Sequence, residues 1–289
     1  MNAFSNLNPA VSAFYFASVA VGAMFSQSPI IKIIALVFGV ACFLRLEKRI
    51  KAKELCFWLL AFFAVAASNP LFSHNGTTVL FFLNSNPITL EALLFGVDIA
   101  VMLVATVFWF KCFNSVFTEE KLLYLFGKIS PKLALLLSSA LRFLPHFRRK
   151  HKKIVAAQKT MGMFSSDSFA DRMKSSLRSF SALMTDALEG AVETGASMKA
   201  RGFGLGGRTS FSLFEFKKGD TVFLLATVAL GALFAYCSAN GALGFEFYPQ
   251  ISFAALSAEG IIGTVAFSLL CALPFLKEGL QWLFWKLKI

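Results

Sequence analysis

The sequence predicts an all-α integral membrane protein with about six transmembrane helices and long helices in a basic cytoplasmic segment. Three observations carry that prediction. Hydrophobic residues make up 57% of the 289 positions, with 35 Phe and a mean hydropathy of +0.67. That is far more apolar surface than a soluble domain of this length needs to bury. The apolar runs are Phe/Leu/Val/Ala-rich with little alternation, which favours helices over a β-barrel. Finally, the basic residues fall on alternate connections between those runs.

Each span needs roughly 20 apolar residues. Six stretches approach that length: Pro9–Phe25, Pro29–Leu44, Leu55–Phe72, Thr89–Phe113, Thr221–Ala239 and Ile251–Leu276. The first has no basic residue before it, so it lacks the charged start of a secretory signal and is expected to remain in the mature protein. Arg45, Lys48, Arg49, Lys51 and Lys53 crowd the turn between the second and third stretches. The segment from Phe110 to Gly219 carries most of the formal +12 charge, whereas Ser26–Ser28, Ser73–Ile88 and Asn240–Gln250 contain no Lys or Arg. The positive-inside rule then places both termini and the basic segment in the cytoplasm. Lys32, at the outer end of the second span, runs against the pattern. The resulting organisation is a four-span N-terminal membrane region (1–113), a cytoplasmic region (114–219) and a two-span C-terminal membrane region (220–289). Pro131–Phe147 is apolar enough to dip into the membrane as well.

Two helical stretches dominate the cytoplasmic region. One starts at Ser130-Pro131, with proline at an early helical position. Pro145 is expected to kink or break it, and a second leg runs from Phe147 to Gly162. The other runs from about Phe169 to Ala200, with Ser165–Ser168 offering N-caps. Met173, Leu177, Phe180, Met184, Leu188, Ala191, Gly195 and Met198 recur every three or four residues and form one stripe, predicting a helix laid on the membrane domain. Asp186, Glu189 and Glu193 share the opposite, solvated face. The helix ends at Lys199-Ala200-Arg201-Gly202: a cation near the last carbonyls, then a glycine free to take a left-handed cap. Such an end, on the cytoplasmic side, is suited to engaging a soluble partner.

Several chemistries are argued against. Gly202-Phe-Gly204-Leu-Gly-Gly207 fits G-x-G-x-x-G, but it follows a helix instead of a strand and opens no βαβ unit. The sequence contains no G-x-x-x-x-G-K-[ST] loop, so no ATP hydrolysis is predicted. The five cysteines form no C-x-x-C pair and read as small buried hydrophobes, and His74, His146 and His151 are too scattered for a metal site. Neither a cofactor nor a metal is therefore expected. Asn75-Gly76-Thr77 matches a glycosylation sequon, a three-residue pattern that a polar loop tip also produces. Arg148–Lys153 suits anionic headgroups or topogenic charge better than nucleic acid. Asp186, Glu189 and Glu193 have no histidine nearby to make a catalytic pair. Arg142, flanked by Leu141 and Phe143, either has a structural or coupling partner or snorkels to the headgroups. Glu91 and Asp98, seven apart on one face of the fourth span, could line a polar path.

Leu141-Arg142-Phe143-Leu144-Pro145, followed by Ala157-Gln158 and Gly162, and then Met198-Lys199-Ala200-Arg201-Gly202-Phe203, resemble the two cytoplasmic blocks of a known family. That family is the transmembrane coupling (T) components of energy-coupling factor transporters, ABC-type importers of vitamins and transition metals. The resemblance covers most of the chain and is specific from about Ser130 to Gly207. It implies a non-catalytic subunit of a bacterial cell membrane whose two coupling helices end in short Arg-containing motifs. Each motif docks on one of two ABC ATPase subunits, identical or different, while other surfaces hold a substrate-binding membrane subunit. It also implies that Arg201 contacts an ATPase groove, with Ala200 and Gly202 allowing close approach. The first block departs from the pattern: Thr160-Met161-Gly162 stands where Ala-Arg-Gly is expected, and Met161 can fill an apolar groove but cannot form an ion pair. Arg142, Pro145 and Gln158 are the further candidate positions in that block.

Other readings predict other features. A self-sufficient secondary transporter using Glu91 and Asp98 calls for inverted repeats, which the sequence does not display. A membrane-embedded enzyme calls for convergent His, Asp or Ser residues, of which there are too few. A conventional ABC permease would carry one coupling helix per subunit instead of two in one chain.

Overall fold

A computed structural model describes residues 7–46, 52–73, 76–83, 86–162, 168–205, 214–248, 252–253 and 257–287. Among these residues it is helical nearly throughout, with two short hairpins. The elements are α1 (Pro9–Phe25), α2 (Pro29–Leu46), α3 (Ala52–Phe72), β1 (Val79–Leu83), β2 (Asn86–Thr89), α4 (Leu90–Val116), α5 (Glu119–Ile129), α6 (Pro131–Thr160), α7 (Phe169–Ala200), α8 (Lys218–Ala239), β3 (Phe245–Glu246), β4 (Ser252–Phe253) and α9 (Ala258–Leu287). Lys48, Arg49, Lys51, His74, Asn75, Ser165–Asp167 and Gly206–Arg208 lie outside the described residues. The chain divides into two compact units, Met1–Leu122 with Phe214–Ile289, and Leu123–Leu213.

The first unit holds the apolar helices. Helices α2, α4, α8 and the stretch Ala258–Gly279 of α9 are long and apolar enough to cross a membrane. Pro9–Phe25 and Cys56–Phe72 are shorter but equally apolar. The six predicted stretches therefore all become helices, although the last starts at Ala258 instead of Ile251. The connection Ser73–Ile88 contains a hairpin that the sequence did not suggest. In it Val79 pairs with Thr89 and Leu83 with Asn86 across a register shift between Val79 and Phe81. Helix starts are set by local chemistry. Asn8 Oδ1 accepts from the Ala10 N–H at 3.1 Å, Thr89 Oγ1 from the Ala92 N–H at 3.3 Å, and Asp220 Oδ2 from the Lys217 N–H at 3.3 Å, each relieving an orphan helical donor or its neighbour.

The core of this unit gathers on Trp109, Tyr15, Phe43, Phe267 and Ile31, all essentially inaccessible. Trp109 sits edge-on to Tyr15 and Phe16, and its Nε1–H donates to Ala35 O at 2.9 Å. That bond satisfies the indole where no water reaches it. Helices α3 and α4 meet at Gly96, where an added Cβ would lie 2.4 Å from the Ala66 carbonyl oxygen. Asn69 Nδ2 donates across the same seam to Ala92 O at 2.8 Å. Small residues and side-chain hydrogen bonds of this kind hold helices together where lipid offers no hydrophobic drive. Replacing Gly96 by Val should push the seam apart and cost about 1–3 kcal/mol. Thermal unfolding of the detergent-solubilised protein would show it, and an unchanged midpoint would refute the close packing.

Ion pairs tie the ends of these helices. Lys111 on α4 meets Glu54 on α3 at 2.6 Å and lies over the Trp58 ring at 4.8 Å. Arg45 on α2 reaches Glu278 on α9 at 3.4 Å and covers Phe275 at 4.9 Å. Between α2 and α4, Lys32 pairs with Asp98, with side chains 8% and 4% exposed. The basic residue that broke the charge pattern thus has its counter-ion on a neighbouring span.

The second unit is built on α6 and α7. Helix α6 is one continuous helix through Pro145, so the expected break does not occur. Proline removes only its own N–H from the ladder, and the flanking turns carry the helix past it. Contacts run antiparallel: Gln158 with Ser179 and Lys150 with Asp186. The buried residues of α7 are Ser175 and Ser179, whereas Met173, Leu177, Phe180 and Leu188 are exposed. The α6 seam therefore runs along a serine face and not along the apolar stripe.

Candidate functional site

The residues singled out from the sequence fall at the C-terminal ends of α6 and α7, and the two ends are built alike. In α6 the capping residue is Met161, with φ −83° and ψ 6°, and Gly162 follows at φ +74°. In α7 it is Arg201, with φ −85° and ψ 11°, and Gly202 follows at φ +80°. Such positive φ values strain any residue with a Cβ, which is why glycine stands at both.

Hydrogen bonds repeat as well. The Met161 N–H donates to Ala157 O at 3.2 Å and the Gly162 N–H to Lys159 O at 3.0 Å. At the second end the Arg201 N–H donates to Ser197 O at 3.1 Å and the Gly202 N–H to Lys199 O at 3.0 Å. The Phe203 N–H completes a Schellman cap by donating to Met198 O at 3.0 Å. Both caps satisfy carbonyls that a frayed helix would leave open, so each end is rigid up to its glycine.

The side chains differ where the backbones match. Met161 and Arg201 are both exposed, one an apolar thioether and the other a guanidinium. Thr160 turns its hydroxyl back to donate to Ala157 O at 2.7 Å, and Ala200 presents only a methyl. Lys159 and Lys199 stand two residues before each cap, favourably placed against the helix dipole. The ends are thus a basic, guanidinium-bearing tip on α7 and a less basic, thioether-bearing tip on α6.

The ends are not brought together. Gln158, one turn before the tip of α6, accepts a hydrogen bond from the Ser179 hydroxyl. From Ser179 to Ala200 α7 rises about 30 Å at 1.5 Å per residue. Gln158 thus fixes where the helices meet, a role its position in the first block gave no sign of. Lys150 Nζ lies 2.6 Å from Asp186 Oδ1, so Asp186 is half-buried in an ion pair, not simply solvated. Ser175, Ser179 and Lys150 were not singled out from the sequence. The signal for the two serines was the polar gap on the face of α7 opposite its apolar stripe, and Lys150 was visible only as part of the basic run Arg148–Lys153. Arg142 is exposed, with its guanidinium 5.3 Å from the neighbouring Phe143 ring. Pro145 is likewise exposed in mid-helix.

The carboxylates of the alternative transport path are both engaged. Glu91 accepts from the Thr78 N–H at 3.2 Å and from the Thr77 hydroxyl at 3.3 Å, as well as from the Thr78 hydroxyl. It thereby pins the loop before β1 to the start of α4. Asp98 is held by Lys32. Among the described residues there is no cluster of three or more His, Cys, Asp or Glu side chains that could hold a metal ion.

Taken together, a bundle of apolar helices and a pair of glycine-capped helices with exposed tips describe a helical membrane protein. Comparison with known proteins supplies the family. The family model for the cobalt transport protein CbiQ matches residues 4–211, a stretch that includes both helix tips. The chain belongs to the CbiQ cobalt transport protein family. Among curated proteins it is similar to the energy-coupling factor transporter transmembrane protein EcfT of Listeria innocua, 36% identical over 104 residues, which is 35% of this chain and 39% of that one. The protein of the same name from Bacillus subtilis is 32% identical over 110 residues, 37% of this chain and 42% of that one. The one from Leuconostoc gelidum is 28% identical over 190 residues, 62% of this chain and 70% of that one. The chain thus spans about two fifths of the length of the first two relatives. Their shared name is that of the family read from the Leu141–Pro145 and Met198–Phe203 blocks.

Proposed function

We propose that the chain is the transmembrane coupling subunit of an energy-coupling-factor-type ABC importer in a bacterial cell membrane, with both termini in the cytoplasm. It passes ATP-driven motion of two ATPase subunits to a substrate-binding membrane subunit for vitamin or transition-metal uptake, and is not itself catalytic. The observation that carries this reading is the pair of matching rigid tips, each with one exposed side chain before a left-handed glycine, spaced by about 30 Å of α7. Two copies of one docking device, too far apart to form one site, suit two separate soluble subunits. Arg201 and Ala200–Gly202 form the stronger tip, and Thr160–Gly162 the weaker. ATP binding would draw the ATPases together, and α6 and α7 would carry that displacement to the membrane unit, provided each nucleotide state favours its own helix arrangement.

The secondary-transporter reading relies on Glu91 and Asp98 as ion ligands. One carboxylate clamps a loop and the charge of the other is balanced by Lys32, which leaves neither as an uncompensated anion for a cation to neutralise.

Affinity copurification after co-expression with candidate ATPase pairs tests the proposal. Wild type should bring down both ATPases in equal amounts, and Met161→Arg should bind as well or more tightly, since a guanidinium at that cap can add charge-assisted contacts. A well-folded wild type that captures no ATPase from any pair offered would overturn the reading.

A further inference from the structure

A cavity of about 750 Å³ opens in the first unit between α2, α4, α9 and the connection Ala242–Phe247. Its walls are mostly aliphatic, with Ile30 and Ile33 from α2, Val97 and Val101 from α4, and Ile261 from α9. Ile30, Ile33 and Ile261 are each about half exposed, so the cavity opens at the surface of helices long and apolar enough to cross a membrane. Both its size and its lining suit a small-molecule site.

The charged wall residue is Asp98. Its Oδ2 takes the Lys32 ammonium, but its Oδ1 is buried without a hydrogen-bond partner. A carboxylate can accept several hydrogen bonds, and an empty acceptor out of water is costly. An ionisable pair inside a span is costly too and most often marks a functional site. Lys32 already neutralises the charge, so the missing element is a donor and not a cation as such. Asp98 lies eight residues into α4, about 12 Å along its axis, and Lys32 three residues into α2, about 5 Å. The pair therefore lies in the half of each helix that holds its first residues, and the cavity lining runs from there to Ser28 and Ser257 at the starts of α2 and α9.

We propose that this cavity binds a membrane lipid whose headgroup carries an O–H or N–H donor, with an acyl chain along the Ile33–Val97–Ile261 wall and the donor at Asp98 Oδ1. Phosphatidylethanolamine and phosphatidylglycerol both offer such donors, and phosphatidylcholine offers none. This inference rests on the ion pair and the cavity alone, independently of the coupling function.

The test is native mass spectrometry of the full chain released from nanodiscs containing equal parts of the three phospholipids. Wild type should retain phosphatidylethanolamine, phosphatidylglycerol or both about fivefold over phosphatidylcholine, the factor one hydrogen bond supplies; which of the two dominates identifies the donor. Lys32→Leu/Asp98→Leu, which removes both charges together, should still retain lipid but lose the preference. Val97→Phe, which fills the cavity, should lose retention altogether while unfolding at the wild-type temperature. Equal retention of all three lipids by wild type, or unchanged preference in the double variant, would overturn the proposal. Retention only when a substrate-binding subunit is absent would instead assign the cavity to that partner and overturn it equally.

Discussion

Arg201→Glu should strip ATPase binding from the purified protein by at least about 30-fold while leaving membrane insertion and folding intact. The asymmetry follows from where Arg201 sits. Its backbone is fixed by the Arg201 N–H to Ser197 O bond and by the glycine after it, neither of which depends on the side chain. Its side chain is exposed. Within the chain the substitution therefore costs little more than the unfavourable placement of a carboxylate at a helix C-terminus, about 0.3–1 kcal/mol. Across an interface, removing one partner of a buried hydrogen-bonded charge pair costs about 2–5 kcal/mol, and reversing the sign adds repulsion. Copurification with the ATPases, alongside a chromatographic profile of the free subunit, separates the two effects. Full assembly with Arg201→Glu would show that the α7 tip is not a docking element.

The second large effect lies in the membrane unit. Asp98→Leu leaves the Lys32 ammonium among apolar side chains without a counter-ion, and Lys32→Leu leaves the carboxylate in the same state. Each single change should destabilise by about 3–5 kcal/mol. The double change Lys32→Leu/Asp98→Leu should recover most of that loss, because replacing both partners of a buried pair by apolar residues is often neutral. The same pair of helices, α2 and α4, then packs with no charge to desolvate. Unfolding midpoints of the three variants in one detergent form a double-mutant cycle that measures the coupling directly. Additive losses would mean that the two side chains do not interact in the folded protein.

Periodicity and charge made the helices legible and left their partners unread. Pro9–Phe25 was found to the residue, because prolines at 9 and 29 and the polar Ser26–Ser28 mark where apolar sequence starts and stops. The cap at Arg201-Gly202 was equally readable, since a left-handed residue after a helix almost demands glycine. Pairings between separate helices were not. Lys32 announced itself by violating the positive-inside rule, and Asp98 by being acidic in a span. Nothing in either local sequence says that α2 and α4 bring them together. The stripe on α7 says nothing about α6 for a related reason. Its period was right, but which face meets α6 is decided by the Ser179–Gln158 and Lys150–Asp186 contacts, and polar seams leave a weaker trace in sequence than apolar ones. Pro145 shows the limit of a local rule: one missing N–H does not end a 30-residue helix.

The way α6 and α7 are fastened together has a mechanical consequence. They are joined at two places, Ser179–Gln158 near the tip of α6 and Lys150–Asp186 eight residues earlier along that helix, and beyond Asp186 α7 runs on for about 21 Å to Ala200. A 10° bend of α7 beyond Asp186 would swing Ala200 by about 4 Å on that arm, whereas Thr160 stands roughly 3 Å along α6 from its fastening at Gln158. The two tips are therefore unequal levers: the guanidinium stands at the end of a free arm, and the thioether stands beside a fastening. On the proposed coupling function the end of the longer arm is the one that needs the stronger hold, and it is the one that carries the guanidinium.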